Sequence, residues 1–184
     1  MTDRTLVERA RAGDGDAYER LALEAADRLF GIAYRITRDI DSAHDAAQQT
    51  LIAIWTDLAT LRDPDRFDVW TYRLVVRFSL ADSRRHRRMG VTVGALEVDL
   101  PGPRDAMEDV AVRDELEIAF RALSPEQRAV VVLHHYLGLS HDEIAIVLGV
   151  PYGTVQSRLH RATRQMRASL DAGARSSQPE RMPA

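Results

Sequence analysis

The chain has 184 residues, 45% hydrophobic and 29% charged, with a net charge of −3, a composition of ordinary soluble character with enough apolar side chains for one large core or two small ones. Cysteine is absent, which excludes disulfide frameworks, thiolate nucleophiles and cysteine zinc sites. No apolar run approaches the roughly 18 residues of a membrane span and no charged-then-apolar signal opens the chain, so the expectation is a cytoplasmic protein without a membrane segment.

From Leu6 to about Arg88 the pattern is helical. Leu6, Val7 and Ala10 open a first helix, which Gly13-Asp14-Gly15-Asp16 interrupts. Ala17 to Thr37 gives a second, with Leu21, Leu29, Ile32, Ala33 and Ile36 inward. Asp41 or Ser42 can cap a third that runs to about Leu61, where Ala47, Leu51, Ile54, Trp55 and Leu58 repeat at helical intervals. Arg62-Asp63-Pro64-Asp65 is a turn with proline at the boundary. The fourth helix, from about Phe67 to Arg88, has Trp70, Leu74 and Phe78 four apart.

The polar face of this fourth helix is unusual. At about 100° per residue, Arg66, Arg73, Arg77, Arg84 and Arg88 fall within roughly 60° of one another. A solvated face normally mixes both signs, yet the only nearby acids are Asp68 and Asp82. Such a stripe suits phosphates, and Trp70 and Tyr72 beside it are of the type that stacks on unpaired bases, although Trp70 also sits at core spacing. All 25 basic residues of the chain are arginine, whose planar guanidinium favours bidentate phosphate contacts.

Composition shifts after Arg88. Gly90, Gly94 and Pro101-Gly102-Pro103 are interspersed with acids, and eight carboxylates between Val91 and Glu117 face only Arg104 and Arg113. This reads as a linker over 90–112, whose extended reach of about 75 Å lets two domains touch sites more than one DNA turn apart. Asp114 to Leu123 then forms a helix with Leu116, Ala119, Phe120 and Leu123 inward. Ser124-Pro125-Glu126-Gln127 supplies a cap, a proline at the first helical position and a capping-box glutamine for a helix continuing to Leu137.

Residues 139–161 combine a short helix, a glycine stop and a second helix that is basic and free of acids. Ser140 and Glu143 form a capping box, Gly149 ends the first helix, and Ile144, Ala145 and Leu148 face Val155 and Leu159 of the second. That is a helix-turn-helix of the kind that reads DNA, with Thr154, Gln156, Ser157, His160 and Arg161 directed away from the core. Gln156, Ser157 and Arg161 suit base edges, whereas Arg158, Arg164 and Arg167 suit phosphates. The elements together predict an all-α chain of two small helical domains, 1–89 and 113–171, joined by a flexible acidic linker and followed by a disordered tail at 172–184.

These residues resemble the extracytoplasmic-function (ECF) group of bacterial RNA polymerase sigma factors, the two-domain minimal members of the sigma-70 family, over about residues 6–170. The resemblance is carried by Leu123-Ser124-Pro125-Glu126-Gln127-Arg128, by Leu148-Gly149-Val150-Pro151 and by Gly153-Thr154-Val155-Gln156-Ser157-Arg158-Leu159-His160-Arg161-Ala162. In the N-terminal half it runs through Asp45-Ala46-Ala47-Gln48-Gln49-Thr50-Leu51 and Phe67-Asp68-Val69-Trp70-Thr71-Tyr72-Arg73-Leu74. Gln49, Leu51, Arg77 and Gln156 depart from the family pattern, the last two at DNA-facing positions, so promoter sequence cannot be carried over.

The resemblance implies a division of labour. Asp45, Gln48, Gln49, Ile52 and Trp55 would hold the β′ clamp helices of the polymerase core, with the second domain towards the β flap. Arg66, Trp70, Tyr72, Arg73, Arg77, Arg84, Arg85 and Arg88 would bind the −10 element, and Leu61, Arg62, Asp63, Asp65 and Phe67 would surround an extruded base. Thr154, Gln156, Ser157, Arg158, His160, Arg161, Arg164 and Arg167 would read the −35 element as duplex. A separate anti-sigma factor is implied, and the free chain is expected to be a monomer without cofactor, metal or small-molecule substrate.

Two other readings compete. A stand-alone helix-turn-helix regulator would bind an operator as a dimer, but no dimerisation segment stands out and the N-terminal half has its own arginine stripe. An enzyme would need a chemical constellation. His134, His135 and His141 are the nearest to one, yet adjacent histidines on a helix point about 100° apart and do not form the i, i+4 pair of a zinc motif.

Overall fold

The structure, a computed structural model, describes residues 2–88 and 110–176. Most of the expected linker and the last eight residues of the expected tail lie outside the described residues. Eight α-helices and no strand occur among those described.

Helix α1 (Arg4–Arg11) starts at Asp3, whose carboxylate accepts from the Thr5 amide. Asp14 does the same for α2 (Gly15–Thr37) through the Ala17 amide, so the break before α2 is shorter than the glycine–aspartate run suggested. The third helix is capped differently from expectation. Asp39, not Asp41 or Ser42, is the N-cap of α3 (Ile40–Asp57), accepting from the Ser42 amide, and this leaves Asp41 in the first turn, where the helix dipole favours a negative charge. Short 3-10 turns at Leu58–Thr60 and Pro64–Arg66 lead into α4 (Phe67–Arg88). Helix α2 lies at the centre of this unit against α1, α3 and α4, burying Leu21, Leu29, Ile32 and Ile36 with Ile54, Phe67 and Val75 of its neighbours. Each such side chain contributes about 1.5–3 kcal/mol by leaving water.

In the second unit α5 (Val110–Arg121) begins inside the segment read as linker. Leu116 on it is 45% exposed, against expectation, while Ala119 and Leu123 are buried. Both capping boxes form as read: Ser124 with Gln127 at α6 (Pro125–Val131) and Ser140 with Glu143 at α7 (His141–Leu148). The predicted continuous helix to Leu137 does not form. After Val131 the chain widens into a π turn over Val132–Tyr136, where the Leu137 amide donates to the Val132 carbonyl and the Leu139 amide to that of Leu133. Gly149 takes φ 63°, the left-handed stop that a side chain would disfavour. Helix α8 (Tyr152–Ser176) extends past Asp171 into the expected tail and buries Val155 and Ala162, with Leu159 half-buried.

The two units touch. Helix α4 packs on α6 and α7, and α2 packs on α6. Buried residues of both units therefore form one continuous apolar cluster rather than two separate cores. Arg38 pairs with Glu117, Glu126 meets Arg87 at 3.2 Å and Arg84 at 4.0 Å, and the Arg35 guanidinium lies 4.1 Å from the Tyr136 ring centre.

Candidate nucleic-acid and polymerase-binding surfaces

Three surfaces carry the residues singled out in the sequence. On α3, Asp45, Gln48, Gln49, Ile52 and Trp55 are all exposed, and their spacing by three and four places them along one side of the helix. Ile52 is 55% and Trp55 61% exposed. The periodicity that placed Trp55 inward is corrected: its ring lies edge-on to Tyr18 at 4.5 Å, and the core side of α3 is built from Ala43, Ala46, Thr50 and Ile54 instead. The Tyr18 hydroxyl donates to the Leu51 carbonyl at 3.0 Å and anchors this side of the helix to α2.

Helix α4 forms the second surface. Arg66, Arg73, Arg77, Arg84, Arg85 and Arg88 are exposed along it, and Trp70 is half-buried. Tyr72 is not available for stacking: it is only 7% exposed and packs beside Arg28. Asp68 fixes the start of α4, accepting from the Thr2 hydroxyl at 2.7 Å, the Thr2 amide at 3.2 Å and Arg28 at 3.0 Å. Burial opposes its charge, but the Thr2 hydroxyl and Arg28 outweigh it and hold the carboxyl below its ordinary value. The loop before α4 is tied down as well. Arg11 donates to the Leu61 and Arg62 carbonyls, Arg4 pairs with Asp65 at 2.6 Å, and Asp63 accepts from the Asp65 amide. Leu61 and Phe67 are buried, leaving Arg62, Asp63 and Asp65 as the exposed part of the expected base-capture loop.

The third surface is α8. Gln156, Ser157, His160, Arg161, Arg164 and Arg167 are exposed, and Thr154 and Arg158 are half-buried. No ion pair engages any of these arginines among the described residues; Arg161 folds back on its own helix, donating to the Ser157 carbonyl at 3.1 Å and approaching the Ser157 hydroxyl at 3.3 Å. Gln165, one residue from Arg164, donates to the Ala122 carbonyl at 2.7 Å and so fixes α8 against the end of α5.

The histidines gather more closely than the sequence suggested. His134 lies 4.7 Å from His135 and 5.1 Å from His141, ring centre to ring centre, because the π turn changes their relative direction. The His134 Nδ1 is 3.0 Å from the Leu139 carbonyl, and no group of three metal-ligating side chains suited to an ion occurs among the described residues. Sequence reading missed the buried arginines Arg38 and Arg128 between the units, 9% and 8% exposed. Nothing in a local pattern distinguishes them from solvated arginines, since their burial depends on how the units meet.

This architecture, an arginine-lined helical unit followed by a helix-turn-helix, matches known proteins along its length. Residues 21–89 match the family model for sigma-70 region 2 and residues 113–166 that for sigma-70, region 4. The chain is 34% identical over 168 residues to ECF RNA polymerase sigma factor SigL of Mycobacterium tuberculosis strain H37Rv, covering 89% of this chain and 94% of the relative. It is 33% identical over 159 residues to ECF RNA polymerase sigma factor SigE of Mycolicibacterium smegmatis, covering 84% of this chain but 62% of that longer relative. Among solved structures, CnrH in complex with the cytosolic domain of CnrY aligns with a TM-score of 0.64 and 27% identity over 92% of this chain and 97% of that one. The chain belongs to the ECF group of the sigma-70 family of RNA polymerase sigma factors. Matches to both halves leave the stand-alone dimeric regulator disfavoured.

Proposed function

We propose that the chain binds core RNA polymerase through the exposed side of α3, Asp45, Gln48, Gln49, Ile52 and Trp55, on the β′ clamp helices, while the second unit faces the β flap. Residues 1–89 then act on the −10 element: the α4 arginines hold the backbone, Trp70 stacks at the edge of the melted strand, and Arg62, Asp63 and Asp65 border the extruded base. Residues 113–171 read the −35 duplex, with Gln156, Ser157 and Arg161 at base edges and Arg158, Arg164 and Arg167 on phosphates. The chain works as an initiation factor in the cytoplasm and carries out no catalysis of its own. Held by polymerase at one spacing, two modest footprints gain from effective concentration.

The observation that carries this reading is the α3 surface: Ile52 and Trp55 stand exposed on the same unit as an arginine stripe poor in acids. The same α3 side suits an anti-sigma factor that competes with polymerase, in keeping with the capture of CnrH with the cytosolic domain of CnrY. Run-off transcription with purified core polymerase on a random promoter library tests the proposal. The expected result is transcripts from templates sharing two separated motifs, and their loss with Trp55→Ala, a truncation at a central aromatic anchor costing about 2–4 kcal/mol. Transcripts unchanged by addition of the chain would refute it.

A further inference from the structure

Where α2, α4 and α6 meet there is a cavity of about 230 Å³ whose lining includes Arg38, Arg87, Arg128 and His86, with Asp39 and Asp82. Two of its cations are more than nine-tenths buried. Arg38 ends α2 at φ 62°, a left-handed conformation rare for a residue with a side chain, and its Nε has no hydrogen-bond partner although its Nη2 pairs with Glu117. Arg128 is less compensated still. It makes no side-chain hydrogen bond or ion pair among the described residues, and its Nε is buried without a partner.

Burial, and then the Arg38 charge, push the Arg128 guanidinium down to about 10. It therefore stays charged at neutral pH, and a buried, unpaired charge is costly. Two of the carboxylates nearby are committed elsewhere: Asp39 accepts from the Ser42 amide at 2.7 Å to cap α3, and Glu126 is turned to Arg87 and Arg84. The third, Asp82, has its Oδ2 2.9 Å from His86 Nδ1 but buried without a hydrogen bond.

We propose that this cavity is a binding site for a phosphate-class oxyanion, held by Arg128 and Arg38 with Arg87 and His86 at its rim. A tetrahedral oxyanion offers acceptors in several directions to donors arriving from three helices, and charge-assisted hydrogen bonds are the strong ones. The volume admits phosphate or pyrophosphate with a few waters, at about 30 Å³ per water, and falls short of the roughly 300 Å³ at which pockets for larger organic ligands begin. Because α2 and α4 belong to one unit and α6 to the other, the anion binds the packed arrangement alone and stabilises it by linkage. Closure keeps Arg84 against Glu126, so the anion acts as a negative effector of promoter binding.

The test is isothermal titration of the full chain with inorganic phosphate and with pyrophosphate, at constant ionic strength against chloride. One saturable site per chain is expected, weakened roughly ten- to a hundredfold by Arg128→Met, which keeps the apolar stem and removes the charge. Arg87→Ala, at the exposed rim, leaves the fold intact and is expected to weaken binding about three- to tenfold, whereas Arg20→Met, on exposed α2 surface, leaves it unchanged. Small-angle scattering should show the chain more compact with phosphate than with chloride. Non-saturating heats, or equal affinity in the wild type and both the Arg128 and Arg87 variants, would overturn the assignment.

Discussion

Helices α4 and α8 are both lined with arginine and poor in acid, yet they differ in readiness. The α8 arginines meet no carboxylate among the described residues, and Arg161 is held only by its own helix. On α4 the stripe is uneven: Arg66 lies 3.7 Å from Asp63, and Arg84 and Arg87 are drawn across the interface to Glu126, while Arg73, Arg77, Arg85 and Arg88 have no ion-pair partner among the described residues. In the proposed function the second unit meets duplex DNA as it stands. The first would exchange an internal acid for a phosphate at the far end of its stripe, so the affinity of the proposed −10 surface is expected to be coupled to the packing between units.

Within this comparison of arginine faces, breaking the proposed base-reading contact on α8 should have the largest effect. Arg161→Ala is expected to cost about 1–3 kcal/mol on a matched −35 duplex and to relax specificity there, with single-strand binding unchanged. Equal losses on matched and scrambled duplexes in filter binding would remove Arg161 as a base reader. Next in size is the anchor that sets the start of α4. Asp68→Asn is expected to destabilise the fold by about 1–2 kcal/mol, since its carboxylate accepts from Thr2 and Arg28 while partly buried. The sign follows from its depressed value in the folded state: this stabilisation is complete above the ordinary carboxylate range near about 4 and disappears as pH falls through the lower folded value. Thermal melts from about pH 2 to 7 should show the wild type losing its advantage over Asp68→Asn only at the acid end. Arg164→Ala is a smaller change, lowering the salt slope of duplex binding by about one without altering sequence preference.

Much of this arrangement was legible in the residues themselves. Capping boxes at Ser124 and Ser140, the glycine stop at Gly149 and the α4 stripe follow from local chemistry acting over three or four positions, and each occurs where the pattern placed it. Local patterns failed where two answers share one spacing. Trp55 repeats with Leu51 and Leu58 as a core residue would, yet α3 turns Ala43, Ala46, Thr50 and Ile54 inward and leaves the indole outside, edge-on to Tyr18. Tyr72 fails in the opposite sense, buried beside Arg28 although it flanks an exposed stripe. The contact between units was invisible because Glu126 and Arg128 sit in an ordinary helix start, and only the tertiary approach of α6 to α4 and α2 gives them partners or deprives them of one.

That contact supplies the smallest effect and the sharpest comparison of the two arginine faces. Burial opposes the charge of Glu126, but its own backbone amide and Arg87 hold it below its ordinary value, so the attraction is present above the usual carboxylate range and fades as pH falls through the depressed one. Removing the charge with Glu126→Gln preserves shape and frees Arg84 and Arg87. Partly exposed pairs of this kind contribute about 0–1 kcal/mol, so affinity of the full chain for a single-stranded −10 oligonucleotide should rise by no more than about fivefold, with binding to an isolated −35 duplex unchanged. Fluorescence anisotropy on the two oligonucleotides separates the outcomes. A rise confined to the single strand means that α4 is restrained by the second unit; an equal change on both would assign Glu126 to general electrostatics, and no change on either would mean that the packed arrangement does not limit α4.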